Sequence, residues 1–224
     1  VLSFRKLNSI LHNPYFKSSE INLSFKESSD LKSAIKKLQK DVEVKVRSGS
    51  SIIHLVEDLP KPGSLPINAL LAVGSVHQHL VKLGLRSDAN IIITTSSARD
   101  THQIACLIGF GATAVYPTLA YQTILDLTDR NELKGDAHEN CSRYRKGINK
   151  GLLKIISKMG ISTISSYRGS QLFEIVGLNK DVVDLCFTNT ESRIKGKTLN
   201  DIEKELRSLN DYARSNLTDM NVGG

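Results

Sequence analysis

Asn90 to Tyr116 reads NIIITTSSARDTHQIACLIGFGATAVY, and this stretch decides the fold class. Asn90 to Thr95 is rich in β-branched residues, which suit a pleated, buried strand. Ala98 to Ile108 has helical spacing and is closed by Gly109 and Gly111; Ala112 to Tyr116 is a further strand. Nearly all-apolar strands joined through a helix predict a parallel pair covered on both faces.

The same unit repeats on either side. Ser51 to Val56 (SIIHLV) is a strand, followed by a Pro- and Gly-rich turn from Asp58 to Pro66. Ile67 to Leu83 then keeps Leu70, Val73, Val76, Leu80 and Leu83 three or four apart, and Gly84 stops the helix. An earlier unit runs from a strand at Asn22 to Phe25 into a helix from Ser29 to Val46, and Thr118 to Leu127 is a later helix. About four such units are half of an eight-unit barrel, with an open doubly wound sheet as the alternative. The expected class is therefore α/β, with mostly parallel strands in βα units, partial TIM-barrel-like, with additional C-terminal helices.

After Leu127 the pattern changes. Asp129 to Asn140 is polar, and a helix follows from Ser142 to Met159 with Ile148, Leu152, Ile156 and Met159 on one face. Ser165 to Gly177 reads as a turn plus a short helix, and Lys180 to Cys186 as another helix. Thr198 caps a last helix ending near Arg214, with Asp201 three residues on. The expected organisation is one domain over 1–210, with βα units over about 20–130, a helical part over about 138–214, and a linker or frayed end at 215–224.

With 224 residues, 40% of them hydrophobic, the chain can build a substantial core. No run approaches the ~18 apolar residues of a membrane span, so no membrane is expected. Val1 to Ile10 (VLSFRKLNSI) lacks the pattern of a secretory signal, and the missing initiator Met implies a piece of something longer. Cys106, Cys141 and Cys186 are odd in number and contain no C-x-x-C pair. They predict a reducing, cytoplasmic compartment and no zinc or iron–sulfur ligation. Net charge is +7, but aromatics are 5%, Trp is absent and acids are spread throughout. A nucleic-acid surface normally clusters its cations or interleaves aromatics, so no nucleic acid is expected.

Parallel α/β folds place their sites at the carboxyl ends of strands, here Glu57 and Asp58, Thr95 to Arg99, and Tyr116 with Pro117. The hydroxyl-rich TTSSARD, Thr94 to Asp100, opens a helix. It is either an anion seat or a capping arrangement of Ser96 or Ser97 with Asp100. His77, His79 and His102 raise the question of a metal. Residues two apart lie ~200° apart around a helix, so His77 and His79 do not share an ion and read as hydrogen-bonded histidines. No G-x-S-x-G or P-loop appears. Lys146, Lys150, Lys154 and Lys158 recur every fourth residue. Like charges at that spacing cost a helix roughly 0.2–0.5 kcal/mol per pair. The ladder is either a solvated face or a docking face for an acidic surface.

Several segments together resemble the central region of the glutamate synthase large subunit. They are Leu65 to Val73 (LPINALLAV), Val76 to Leu80 (VHQHL), Gly84 to Arg86, Ala98 to Gln103 (ARDTHQ) and Gly109 to Ala120 (GFGATAVYPTLA). The most specific block runs from Tyr144 to Leu178, and CFTNTESRIKG, Cys186 to Gly196, follows. The resemblance spans about Ser9 to Leu206. Gln78 and Gln103 stand where that family often has histidine, and Glu57-Asp58 where it commonly has Ser-Asp-Arg.

The resemblance implies a polypeptide with a glutaminase domain, a central α/β domain, an FMN barrel with an iron–sulfur cluster, and a β-helix. It implies a connecting role, with those other domains as partners and no catalytic residue, cofactor or metal in this segment. A plastid stroma would replace the cytoplasm if the source were a plant or alga. The ligand or interdomain contacts to examine are Arg99, His102, Tyr167, Arg168 and Arg193, with the ladder lysines. Competing readings are a self-contained barrel-like domain binding an anionic metabolite or FMN near Arg99 and Tyr167-Arg168, and a basic interaction module.

Overall fold

A computed structural model describes residues 1–58 and 61–215. Residues 59–60 of the Pro-rich turn, and all but Ser215 of the expected terminal linker, lie outside the described residues. The first elements are α1 (Phe4–Leu11), β1 (Ser18–Asn22), β2 (Ser24–Lys26), α2 (Leu31–Arg47), β3 (Ile52–Val56), β4 (Ser64–Pro66), α3 (Ala69–Lys82), β5 (Asn90–Thr95), α4 (Thr101–Gly109), β6 (Ala114–Pro117) and α5 (Thr118–Asp129). After them come α6 (Ala137–Lys158), α7 (Ile164–Tyr167), β7 (Glu174–Leu178), α8 (Lys180–Cys186), β8 (Glu191–Lys197) and α9 (Leu199–Arg214).

Four strands form one parallel sheet in the order β1-β3-β5-β6. That order decides between the two architectures left open by the sequence. A doubly wound sheet reverses its order at a switch point, whereas a barrel adds each strand beside the last. Right-handed crossovers in a sequential order put every connecting helix on one face. Ile53, Leu55, Ile91, Ile93 and Val115 accordingly share one core with α2, α3 and α4. Each large fully buried side chain there is worth about 1.5–3 kcal/mol, far more than helix propensity supplies. The opposite face, Ile52 and Ile92, meets Leu7 of α1. Among the described residues the sheet is an open barrel-like segment that does not close.

The strand expected at Asn22 to Phe25 is two strands. The Asn22 side chain accepts from the Ser24 amide at 2.7 Å, turning the chain between them. Polar Ser18–Asn22 is an edge strand without an apolar run, and Ser24–Lys26 pairs antiparallel with Ser64–Pro66. Caps also move the predicted helix starts. Asn68 caps α3, Asp136 caps α6, and Asp100 with Gln103 forms a capping box that starts α4 at Thr101. Ser96 and Ser97 do not cap it.

The region from 165 onward is less helical than expected. β7 replaces the end of the predicted turn and short helix, and β8 occupies the stretch before Thr198; the two pair in parallel around α8. The ribbon gave no apolar pattern because Val176 and Ile194 face outward. Gly196 lies so close to the Gly177 carbonyl that no side chain fits between the strands. α9 clamps the start of α2: Arg207 donates to the Glu27 and Ser29 carbonyls at 2.8 and 2.9 Å, and Glu203 accepts from the Leu31 amide at 2.7 Å.

Candidate functional site

The carboxyl ends of the strands are closed by the chain's own groups. The Glu57 carboxylate, just past β3, accepts the Ser96 amide at 2.9 Å, the Ser97 amide at 3.3 Å and the Ser97 hydroxyl at 3.0 Å. It also accepts the Thr95 hydroxyl. The Thr95 to Ser97 donors of TTSSARD are thus taken up by the chain's own Glu57 carboxylate, while Asp100 caps the helix that follows. Beside it, Asn22 Nδ2 donates to Asp58 at 2.6 Å. Removing the carboxylate orphans several donors, and each unsatisfied one costs about 1–3 kcal/mol unless water or an ion replaces it. Glu57→Ala is expected to lose about 2 kcal/mol of stability in anion-free buffer and to recover part of it in phosphate. Urea titrations in both buffers check this, and a variant as stable as the parent would mean the carboxylate does not hold the loop.

His54, on the sheet face opposite α2–α4, is buried. Its Nε2 lies 2.8 Å from Thr94 Oγ1, and its Nδ1 lies 3.3 Å from the Glu20 carboxylate without hydrogen-bond alignment. Burial lowers its pKa from the ordinary value while Glu20 and Asp58 pull the other way. His77 accepts at Nδ1 from Arg86 Nε at 2.9 Å, His79 faces Glu43 at 3.3 Å, and His102 lies 3.7 Å from Cys106 Sγ. These histidines thus have separate partners. Among the described residues no three His, Cys, Asp or Glu side chains are arranged to hold a metal. Burial, then Asp100, raises the Cys106 thiol, and burial pushes Cys186 up to about 12, the reverse of an activated nucleophile.

The contacts singled out in the sequence do not form one site. Arg99 precedes the cap of α4, whereas Arg168 donates to Thr113 at 2.7 Å beyond the other end of that helix, about 13 Å away by helical rise. Tyr167 is buried edge-on against Phe173. Arg193 is exposed on β8, 3.2 Å from Glu191 and 3.8 Å from Glu174. Lys146, Lys150, Lys154 and Lys158 all point outward from α6, whose inner face is Ile148, Leu152 and Ile156. A shallow hollow of about 740 Å³ runs beside the last three lysines, with Leu153 half out of the surface.

Arg168 borders a cleft of about 340 Å³ between α3, the loop at 168–173 and the turn at 188–190. His77, Phe110, Gln171, Phe173 and Asn189 share it. Four segments distant in sequence build this cleft, α3, the end of α4 at Gly109 and Phe110, the 168–173 loop and the 188–190 turn, so no local motif could have announced it.

A family model described as the glutamate synthase central domain matches residues 1–179. The chain is 41% identical over 202 residues to the glutamate synthase [NADPH] large chain of Bacillus subtilis, covering 90% of this chain and 13% of that one. It is 39% identical over 221 residues to the ferredoxin-dependent glutamate synthase 2 of Arabidopsis thaliana, covering 92% and 14%. To the glutamate synthase [NADH] of Saccharomyces cerevisiae it is 33% identical over 209 residues, covering 88% and 10%. The chain thus spans 10–14% of the length of these relatives. Among solved structures, a flavocytochrome b2 variant with sulfite bound superposes with a TM-score of 0.47 at 11% identity, covering 88% of this chain and 47% of that one.

Proposed function

Since this chain belongs to the glutamate synthase central-domain family, we propose that it is the connecting, non-catalytic part of such an enzyme. The family match over residues 1–179 carries this reading. In it, the parent converts glutamine, 2-oxoglutarate and reducing equivalents into glutamate, and this domain holds the glutaminase and flavin centres in place. Glu57 and Asp58 closing the strand ends, and three cysteines held apart on α4, α6 and α8, support a domain without its own chemistry. FMN and the iron–sulfur cluster belong to other domains, and the boundaries are those of one domain over 1–210. Among the described residues no helix is long and apolar enough to cross a membrane. The proposed compartment is the cytoplasm, or the stroma of a plastid.

The purified chain is expected to hydrolyse no glutamine and to leave FMN free; turnover or flavin retention would overturn the proposal. Grafted into the Bacillus subtilis large chain in place of the segment it matches, it should sustain glutamate formation.

The lysine ladder is the face we assign to a neighbouring acidic domain, because four exposed cations repel one another along α6 with no folding benefit. In the graft, Lys150→Glu with Lys154→Glu and Lys158→Glu should lower glutamate formed per glutamine hydrolysed by about fivefold, the low end of interdomain coupling. Glutaminase activity itself should persist. An unchanged yield would reduce the ladder to a solvated face.

A further inference from the structure

We propose that the cleft between α3, the 168–173 loop and the 188–190 turn binds a small organic carboxylate. This goes beyond the connecting role and does not depend on it. The volume, about 340 Å³, sits at the small end of the roughly 300–1,000 Å³ usual for ligand pockets. Among the described residues no Asp or Glu lines it. Its polar wall is Arg168, His77, Gln171 and Asn189, and its apolar wall is Phe110 and Phe173.

The donors are organised from behind. Arg86 spends its hydrogen bonds on His77 Nδ1 at 2.9 Å, the Ala89 carbonyl and the Gly111 carbonyl at 2.9 Å. Because Nδ1 accepts, the ring proton of His77 resides on Nε2, which faces Gly169 of the cleft loop. Arg168 is anchored by Thr113 at 2.7 Å. Neither guanidinium has an Asp or Glu partner among the described residues, and each raises the electrostatic cost of the other. Burial and Arg168 together lower the Arg86 pKa to about 10. A bound anion would relieve that repulsion through charge-assisted hydrogen bonds.

The backbone adds an independent sign. Among the described residues only Asn131, Gln171 and Asn189 are non-glycine residues with positive φ, and the last two, at 55° and 67°, both line this cleft. Such conformations cost on the order of 1–3 kcal/mol and gather at ligand clamps. Amides from Gln171 and Asn189 offer neutral donors to a second oxygen, while the phenyl rings suit a short hydrocarbon body. That combination favours a carboxylate over a phosphate.

The test titrates the 224-residue chain with glutarate, using phosphate and sodium chloride at matched ionic strength as comparators, and follows the amide signals of Gly169, Gln171 and Asn189. The expected result is a saturable shift at these residues with glutarate, with a Kd under about 10 mM. Arg168→Gln should weaken it at least roughly tenfold. Asn189→Asp keeps a residue that tolerates positive φ and sets a carboxylate in the cleft, so it should weaken binding as much without disturbing the loop. No saturable shift by about 50 mM, binding by either variant as tight as by the parent, or identical shifts with phosphate or chloride would overturn the site.

Discussion

The chain carrying Gly74→Val is expected to melt about 6–12 °C below the parent, from a loss of about 3 kcal/mol or more. Gly74 sits on the buried face of α3 where α8 crosses it. A β-carbon there would run into the Cys186 carbonyl and lie 2.8 Å from the Phe187 ring. The carbonyl is main chain and Phe187 is buried, so neither can step aside as a flexible side-chain end would. Forcing in an isopropyl group therefore separates α8, and the β7–β8 ribbon around it, from the sheet domain. Gly147 on α6 is the internal control, because a β-carbon there meets nothing within 4 Å. Gly147→Ala should stabilise the chain by about 0.5–1 kcal/mol through helix propensity alone. Thermal melts followed by circular dichroism compare the two. If Gly74→Val melted with the parent, the close approach of α8 to α3 would be refuted.

Acidification from pH 6.5 to 4 should cost roughly 3 kcal/mol through His77 alone. Its pKa is lowered to about 4, first by burial and then by Arg86 and Arg168. Between that value and the ordinary 6.5 the unfolded chain binds a proton that the folded chain refuses, so stability rises with pH across this window. Each pH unit is worth about 1.4 kcal/mol. Protonation would also abolish the acceptor that Arg86 uses at Nδ1. Glu43, its pKa held at about 2 by Arg47, Lys40 and His79, loses its contribution from the ordinary 4.5 downward and so enters at the pH 4 point in parent and variant alike. His54 is also depressed by burial and loses stability in the same direction, so a difference measurement is needed. Urea titrations of the parent and His77→Gln, at pH 7, 5.5 and 4, should diverge in slope, with the variant flatter. Parallel curves would mean that His77 is solvated and titrates normally.

Legibility followed locality. The segments NIIITT and SIIHLV were readable as strands because burial on both faces leaves a continuous apolar run. β7 and β8 were not, because one face of that ribbon is water and its pairing rests on main-chain bonds and on Gly196, not on an apolar pattern. TTSSARD was legible as a run of donors before a helix, yet the group those donors hold, Glu57, lies about 40 residues earlier and reaches them only once β3 and β5 align. The cation ladder of α6 was visible as spacing, while the exposure of all four lysines had to be seen in three dimensions.

By itself the sequence determined that this protein is a βα chain with a buried parallel sheet, because side-chain period and turn chemistry are local properties of residues. It also carried enough family blocks, from LPINALLAV to the run ending at Leu178, to name the family. Only the tertiary structure decided that the sheet is wound in one direction, that Arg99 and Arg168 stand at opposite ends of α4, and that Arg168, His77 and Asn189 share one cleft. Those facts depend on which strand sits beside which, and the energy that selects the neighbour is the burial of a face shared by residues far apart in the chain.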